Sequence, residues 1–114
     1  MGKKILVIGG SGFIGSSLCK RLKKNYKVTN YDLRENIISG VKYIKGDIND
    51  KISVENSIKK NDIVFNLAGQ TELEESQSNP YEVFKNNVLG IINILNACKK
   101  FKIKRLVVAS TVYV

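Results

Sequence analysis

The sequence contains no histidine, and its 114 residues include only one proline and two cysteines. Without histidine, Ser/His/Asp triads, imidazole acid–base chemistry and most zinc sites are excluded, so no metal site is expected. Cys19 and Cys98 lie on the apolar faces of predicted helices and are interpreted as reduced core residues, not as a disulfide or metal ligands. The single proline and the ordinary composition, 43% hydrophobic and 25% charged, argue against a disordered chain.

Long hydrophobic runs are also lacking. No apolar stretch approaches the roughly 20 residues of a membrane-spanning helix, and the N-terminus opens directly into a predicted strand instead of a signal peptide. We therefore expect a cytoplasmic protein with no membrane partner.

Negative charge is scarce: 10 Asp and Glu oppose 19 Lys and Arg, for a formal net charge of +9. The lysines are scattered through predicted helix ends and turns, and no nucleic-acid-binding motif accompanies them. We interpret them as solvated surface whose positive field helps to gather an anionic nucleotide, and we expect no nucleic-acid partner.

The chain is organised around residues 3–22, where a short apolar run at 5–8 ends in glycines. This run is predicted as a buried strand, and apolar residues at helical spacing follow the glycines. Glycine at a strand-to-helix turn permits positive φ and close backbone approach, and the amides at the helix start favour an anion. We expect a pyrophosphate here. The glycines are Gly9, Gly10, Gly12 and Gly15.

An acidic residue after the next predicted strand, residues 26–31, strengthens this interpretation, because a glycine motif alone is a weak signal. The Asp32 carboxylate can accept hydrogen bonds from the adenosine ribose and would repel a 2′-phosphate, so NAD is predicted over NADP. Leu33 begins a loop placed at the adenosine end, and Arg34 carries the charge to soften that preference. The alternative is a glycine turn that only packs helix on strand.

The rest of the chain alternates strands with helices. Further strands are predicted at residues 41–45, 62–67 and 105–109, and helices at 49–61 and 81–101. This pattern predicts an α/β fold in one domain over residues 1–114: a Rossmann-type, doubly wound parallel sheet with strand order 3-2-1-4-5.

The long helix carries two further predictions, and Pro80 fits its first turn. One of Asn86 and Asn87 is expected to hydrogen-bond a loop or the cofactor, because a buried asparagine needs partners. The apolar residues are expected to lie against the sheet. They are Val83, Phe84, Val88, Leu89, Ile91, Ile92, Leu95 and Cys98.

In such a sheet the ligand crosses the carboxyl ends of the strands. The glycine turn, Asp32, Asp47, residues 68–71 and residues 110–111 all fall on that edge. Asp47 with Ile48 would contact the adenine, although a turn or cap role for Asp47 is equally open. The small residues after the fourth strand would let the backbone lie under the nicotinamide-side ribose, or serve packing alone.

With these residues in place, the chain resembles the N-terminal part of an extended short-chain dehydrogenase/reductase, of the NAD-dependent nucleotide-sugar epimerase/dehydratase family. The resemblance covers nearly the whole chain. Its motifs are GGSGFIG at residues 9–15, YD at 31–32, GDI at 46–48, NLAGQ at 66–70, NPYEVFKNNVLG at 79–90 and VVASTVY at 107–113.

The resemblance implies a role for each matching residue. Phe13 and Ile14 would cover the pyrophosphate, and Thr111 would hold the family's catalytic Ser/Thr position beside the substrate hydroxyl. Ser110 is assigned to the cofactor edge next to it. The residues that would contact the nicotinamide half are Leu67, Ala68, Gly69, Gln70, Thr71 and Asn86.

The resemblance also implies chemistry: hydride transfer from a sugar carbon of a nucleotide sugar to NAD, through a keto-sugar intermediate. This needs a tyrosine base with a lysine four residues later. Tyr81 and Lys85 have that spacing but precede the fifth strand, whereas the family's pair follows it, so they are not assigned.

A chain ending at Val114 would lack both that pair and the sugar-binding region. We expect it to be catalytically silent, to bind NAD weakly, and to form a homodimer or self-associate at its uncovered fifth strand. Two alternatives stay open: an NAD(P)-dependent reductase or dehydrogenase of a non-sugar substrate, and a non-catalytic dinucleotide-binding module.

Overall fold

The computed structural model describes residues 2–68 and 79–109. Within them, five parallel strands form one sheet of order β3-β2-β1-β4-β5, which confirms the predicted topology. In chain order the elements are β1 (Lys4–Ile8), α1 (Phe13–Leu22), β2 (Lys27–Asp32), β3 (Val41–Lys45), α2 (Lys51–Ile58), β4 (Ile63–Asn66), α3 (Pro80–Lys100) and β5 (Arg105–Val108).

Strand β1 lies at the centre of the sheet, and both of its faces are covered. Ile5, Leu6, Val7 and Ile8 are each at most 1% exposed. Leu6 and Ile8 join the core beneath α2 and α3, while Ile5 and Val7 join the core beneath α1. Burial on both faces explains why β1 is a continuous apolar run without polar alternation.

Side-chain caps mark the starts of two helices. The Asp50 carboxylate accepts a hydrogen bond from the Ser53 amide at 3.2 Å and caps α2. Asn79 accepts one from the Glu82 amide at 3.3 Å and caps α3, with Pro80 in the first turn as predicted.

Helix α3 meets the core through a narrower face than predicted. Its buried residues are Gly90, Ile94, Ala97 and Cys98. The predicted contact with the sheet was wrong for six residues, which are 38% to 69% exposed: Phe84, Val88, Leu89, Ile91, Ile92 and Leu95. The helix is apolar on more than one face, and its small residues decide which face approaches closely.

Although α3 has 21 residues, none of the helices in the described ranges is both long and apolar enough to cross a membrane. Both cysteines are free and buried, as predicted. Burial raises the pKa of the Cys19 thiol to about 11 and also raises the pKa of Cys98. The two thiols therefore stay protonated at neutral pH and serve as core side chains.

Basic residues are concentrated at the edge of the sheet where the strands begin and the helices end. Glu55 pairs there with Lys100, with 3.5 Å between carboxylate and ammonium. Fourteen of the 19 Lys and Arg lie at this edge: Lys3, Lys4, Lys20, Arg21, Lys23, Lys24, Lys27, Lys59, Lys60, Lys99, Lys100, Lys102, Lys104 and Arg105. The excess positive charge is thus displaced from the carboxyl ends of the strands.

Replacing Ile94 by alanine is expected to lower the free energy of unfolding by about 2–5 kcal/mol, because the lost side chain leaves a cavity in the core. Ile92, on the same helix and 45% exposed against 1% for Ile94, is the matched control. There the same substitution should cost less than about 1 kcal/mol. Urea unfolding followed by circular dichroism measures both. Equal losses in the two variants would contradict the orientation of α3.

Candidate functional site

The glycine turn between β1 and α1 is shaped by backbone approaches that leave no room for side chains. Gly9 has a φ of +86°, and a Cβ there would lie 2.8 Å from the Ala68 amide nitrogen. A Cβ on Gly15 would collide with the Gly9 carbonyl oxygen, and one on Gly10 would collide with the Asn30 side-chain amide. Glycine at these three positions therefore lets β1, α1, β2 and the end of β4 pack together.

Helix α1 begins at this turn without a side-chain cap. Gly12 is its N-cap residue, and a Cβ on Gly12 would meet only the Gly9 carbonyl oxygen, at 3.7 Å. Phe13 and Ile14 follow and are 89% and 70% exposed. The first amides of a helix have no intrahelical partners, and the helix dipole makes this end positive. The uncapped start of α1 can therefore donate hydrogen bonds to an anion.

Asp32 closes β2 beside this turn. Its Oδ2 accepts a hydrogen bond from the Ser11 amide and its Oδ1 accepts one from the Arg34 amide, both at 3.0 Å. The Tyr43 hydroxyl donates to the Asp32 carbonyl at 3.0 Å. Two backbone amides thus orient the carboxylate, and each oxygen keeps a lone pair for a further donor. Leu33 and Arg34 follow as exposed residues.

Asp47 and Ile48 follow β3 and are anchored on two sides. Asp47 accepts a hydrogen bond at 2.9 Å from the backbone amide two residues on, and its carbonyl accepts one from the Tyr31 hydroxyl at 2.9 Å. Ile48 packs against Gly90 of α3, and Asn93 donates to the Ile48 carbonyl at 2.9 Å. Asp47 thus makes a turn, one of the two roles left open for it, and its contact with adenine stays a prediction.

On the other side of β1, Leu67 and Ala68 follow β4. The Leu67 amide donates to the Ile8 carbonyl at 2.8 Å, and the Ala68 amide donates to the Asn66 side chain at 3.1 Å. Asn86 lies half-buried in the second turn of α3. The other predicted site residues lie outside the described residues: Gly69, Gln70, Thr71, Ser110 and Thr111.

Two residues with a part in this geometry, Ser11 and Asn30, were not predicted from the sequence. The Asn30 side chain donates to the Ser11 hydroxyl at 3.0 Å, and that hydroxyl donates to the Arg34 carbonyl. The available signal was a polar residue on a predicted buried strand, two positions before Asp32 and on the same face of the sheet.

Comparison with known proteins finds a sequence family, curated relatives and solved structures that the chain resembles. A sequence model described as the NAD dependent epimerase/dehydratase family matches residues 5–114. The chain is 34% identical to a dTDP-D-glucose 4,6-dehydratase of Dictyostelium discoideum, over 96% of this chain and 29% of that protein.

Solved structures of similar proteins share the fold. A UDP-glucose 4-epimerase from Thermus thermophilus in complex with NAD is 34% identical, with a TM-score of 0.84 over 95% of this chain and 37% of that one. A UDP-glucose 4-epimerase from Thermotoga maritima with UDP-glucose is 28% identical, with a TM-score of 0.85 over 95% and 38% of the two chains.

The sheet order, the glycine turn and these matches define a Rossmann-type protein. The chain belongs to the NAD dependent epimerase/dehydratase family. It spans 29% to 38% of the relatives named above and aligns with their N-terminal part.

Replacing Gly15 by alanine is expected to lower the free energy of unfolding by about 1–3 kcal/mol, because the new methyl group overlaps the Gly9 carbonyl. Gly12→Ala is the control, since its methyl group would sit at ordinary contact distance, and its effect should stay within about 1 kcal/mol. Thermal unfolding compares the two. If Gly15→Ala were as stable as Gly12→Ala, the close approach at the turn would be disproved.

Proposed function

We propose that residues 1–114 form the NAD-binding domain of a nucleotide-sugar epimerase or dehydratase. The observation that carries this proposal is the uncapped start of α1 beside the amide-oriented carboxylate of Asp32. A diphosphate requires hydrogen-bond donors, and a ribose with free hydroxyls requires an acceptor. Both are present where the β1–α1 turn meets Asp32 at the end of β2, and Gly12 keeps the start of α1 clear of a side chain.

The residues fit NAD in order along the carboxyl edge of the sheet. The turn from Gly9 to Gly15 would hold the pyrophosphate beneath Phe13 and Ile14, and Asp32 would hold the adenosine ribose. The adenine would lie toward β3, near Asp47 and Ile48. Because β2 and β4 flank β1 on opposite sides, the nicotinamide half would extend toward β4 and β5. Leu67 to Thr71, Asn86 and Ser110 are the residues proposed for it.

Bound NAD would supply a hydride acceptor for a sugar carbon of the substrate. This chain's own residues would bind NAD and orient it. The turn would hold the pyrophosphate, and Asp32 would hold the adenosine end. Thr111 is proposed beside the substrate hydroxyl, by resemblance to the family. The names of the relatives support a nucleotide sugar as the substrate class.

A cytoplasmic location is proposed as well. It is supported by the two free thiols, Cys19 and Cys98, since reducing compartments keep such thiols unpaired.

Asp32→Asn is expected to weaken NAD binding about 10- to 100-fold, because a hydrogen bond to a charged group contributes about 1.5–3 kcal/mol. Glu35→Gln removes the same charge three residues away, from an exposed side chain, and should leave the affinity within about twofold. Titration calorimetry of the chain with NAD measures both. The proposal would be abandoned if the folded chain bound no NAD at millimolar concentration.

The exposed apolar face of α3 supports a further part of the proposal, that two copies of the chain associate. Five exposed residues follow one another at intervals of three and four, the spacing of a helix–helix seam. They are Tyr81, Phe84, Val88, Ile91 and Leu95, at 38% to 71% exposure. A second copy of α3 presents the same spacing and can cover this stripe in a homodimer.

Leu95→Lys is expected to shift the chain toward monomer, because it places a charge in the seam. Leu89→Lys is the matched control, since Leu89 is 44% exposed against 49% for Leu95 but lies off the stripe. Sedimentation velocity over a range of concentrations distinguishes the variants. A wild-type chain that stays monomeric at high concentration, or equal effects of the two lysines, would argue against this seam.

A further inference from the structure

Ser11 is the junction between the glycine turn and the end of β2. Its amide donates to Asp32 Oδ2 at 3.0 Å, and its hydroxyl accepts from Asn30 Nδ2 at 3.0 Å. The same hydroxyl donates to the Arg34 carbonyl. One serine therefore links the turn to three positions of a segment about twenty residues further along the chain.

Asn30 is an unusual residue for its place. It is 0% exposed on β2, and within the described part of the chain its Oδ1 has no hydrogen-bond partner. A buried acceptor without a partner is costly, so a residue that retains one needs a compensating role. The hydrogen bond from its Nδ2 to Ser11 is that role, and Gly10 leaves the space for the amide beneath the turn.

The direction of this hydrogen-bond chain is set by its last member. The Arg34 carbonyl can only accept, so the single proton of the Ser11 hydroxyl is directed toward it. The Ser11 oxygen is then an acceptor, and Asn30 must present its amide N–H to it. The N–H of Asn30 thus holds the Ser11 oxygen in place, and Ser11 in turn holds the backbone after Asp32.

The backbone of Arg34 is held on both sides as a result. Its amide donates to Asp32 Oδ1 at 3.0 Å, and its carbonyl accepts from Ser11. The carboxylate of Asp32 is therefore fixed at the turn. The backbone from which the Arg34 side chain extends is fixed as well. A 2′-phosphate requires the opposite arrangement, with the carboxylate withdrawn and the cation brought forward.

We propose that Ser11 and Asn30 are positioning residues that hold Asp32 and Arg34 against the glycine turn and thereby set the preference for NAD over NADP. This inference rests on the proposed dinucleotide site. Neither residue needs to touch the nucleotide, since both act through the orientation of Asp32 and the course of the backbone at Arg34.

The test is the dissociation constant of NADP divided by the dissociation constant of NAD. Both constants are measured by NMR titration on the same preparation of each variant. Ser11→Ala and Asn30→Leu are each expected to lower this ratio about three- to tenfold, the value of about one hydrogen bond. A merely structural role would weaken both nucleotides equally and leave the ratio unchanged, because a loss of folded protein cancels in it.

Ser17→Ala, an exposed serine of α1, is the control and should leave the ratio at the wild-type value. The double variant Ser11→Ala/Asn30→Leu should match Ser11→Ala alone, because Asn30 acts through Ser11. A ratio within twofold of wild type in the folded Ser11→Ala variant would overturn the inference. If the change in ratio in the double variant equalled the product of the two single changes, the role of Asn30 through Ser11 would be overturned. Failure of the wild-type chain to bind either nucleotide would instead refute the dinucleotide site, and this inference with it.

Discussion

The close approach of the β1–α1 turn to its neighbours is the constraint on which the other features depend. Gly15 sits against the Gly9 carbonyl, so the first turn of α1 is pressed onto the end of β1. This places Cys19, one turn further on, in the core at 0% exposure. Gly12, the N-cap residue, has no side chain that could cap the helix, so the start of α1 is open at the edge of the sheet. The glycines of this turn thus determine both the packing of α1 and the donor groups that it presents.

Strand β2 lies beside β1 and contacts the turn at its end. Its neighbouring residues Tyr31 and Asp32 have different roles. Tyr31 is 1% exposed, and its hydroxyl contacts Ser53 of α2 at 2.8 Å as well as the Asp47 carbonyl. Burial raises the pKa of Tyr31, so the phenol stays protonated and available for these contacts. Asp32, the next residue, projects to the opposite face and meets the turn. A single strand end therefore connects the core to the candidate site.

The sequence was sufficient for the topology and insufficient for the finer contacts. Short β-branched runs alternating with helical spacing predict a doubly wound parallel sheet, for which 3-2-1-4-5 is a common strand order, and the bounds agree to within three residues. The core face of α3 was mispredicted because the helix is apolar on two faces. Periodicity alone does not show that Ile48 packs against Gly90. Asp32 was found because its position is local to a motif. The role of Asn30 was not predicted because its partner Ser11 is 19 residues away. Such a contact forms only when the sheet is assembled.

The uneven placement of charge makes this molecule electrically polar, with a cationic pole far from the carboxyl edge of the sheet. A five-residue strand spans roughly 16 Å from one edge of the sheet to the other. The Debye length at physiological ionic strength is about 8 Å, so the potential of the lysine-rich edge decays strongly before it reaches the other side. An anion that approaches the carboxyl edge therefore responds mainly to the charges in its immediate vicinity. The long-range attraction expected from the net charge contributes little there, and individual amides at contact range contribute more.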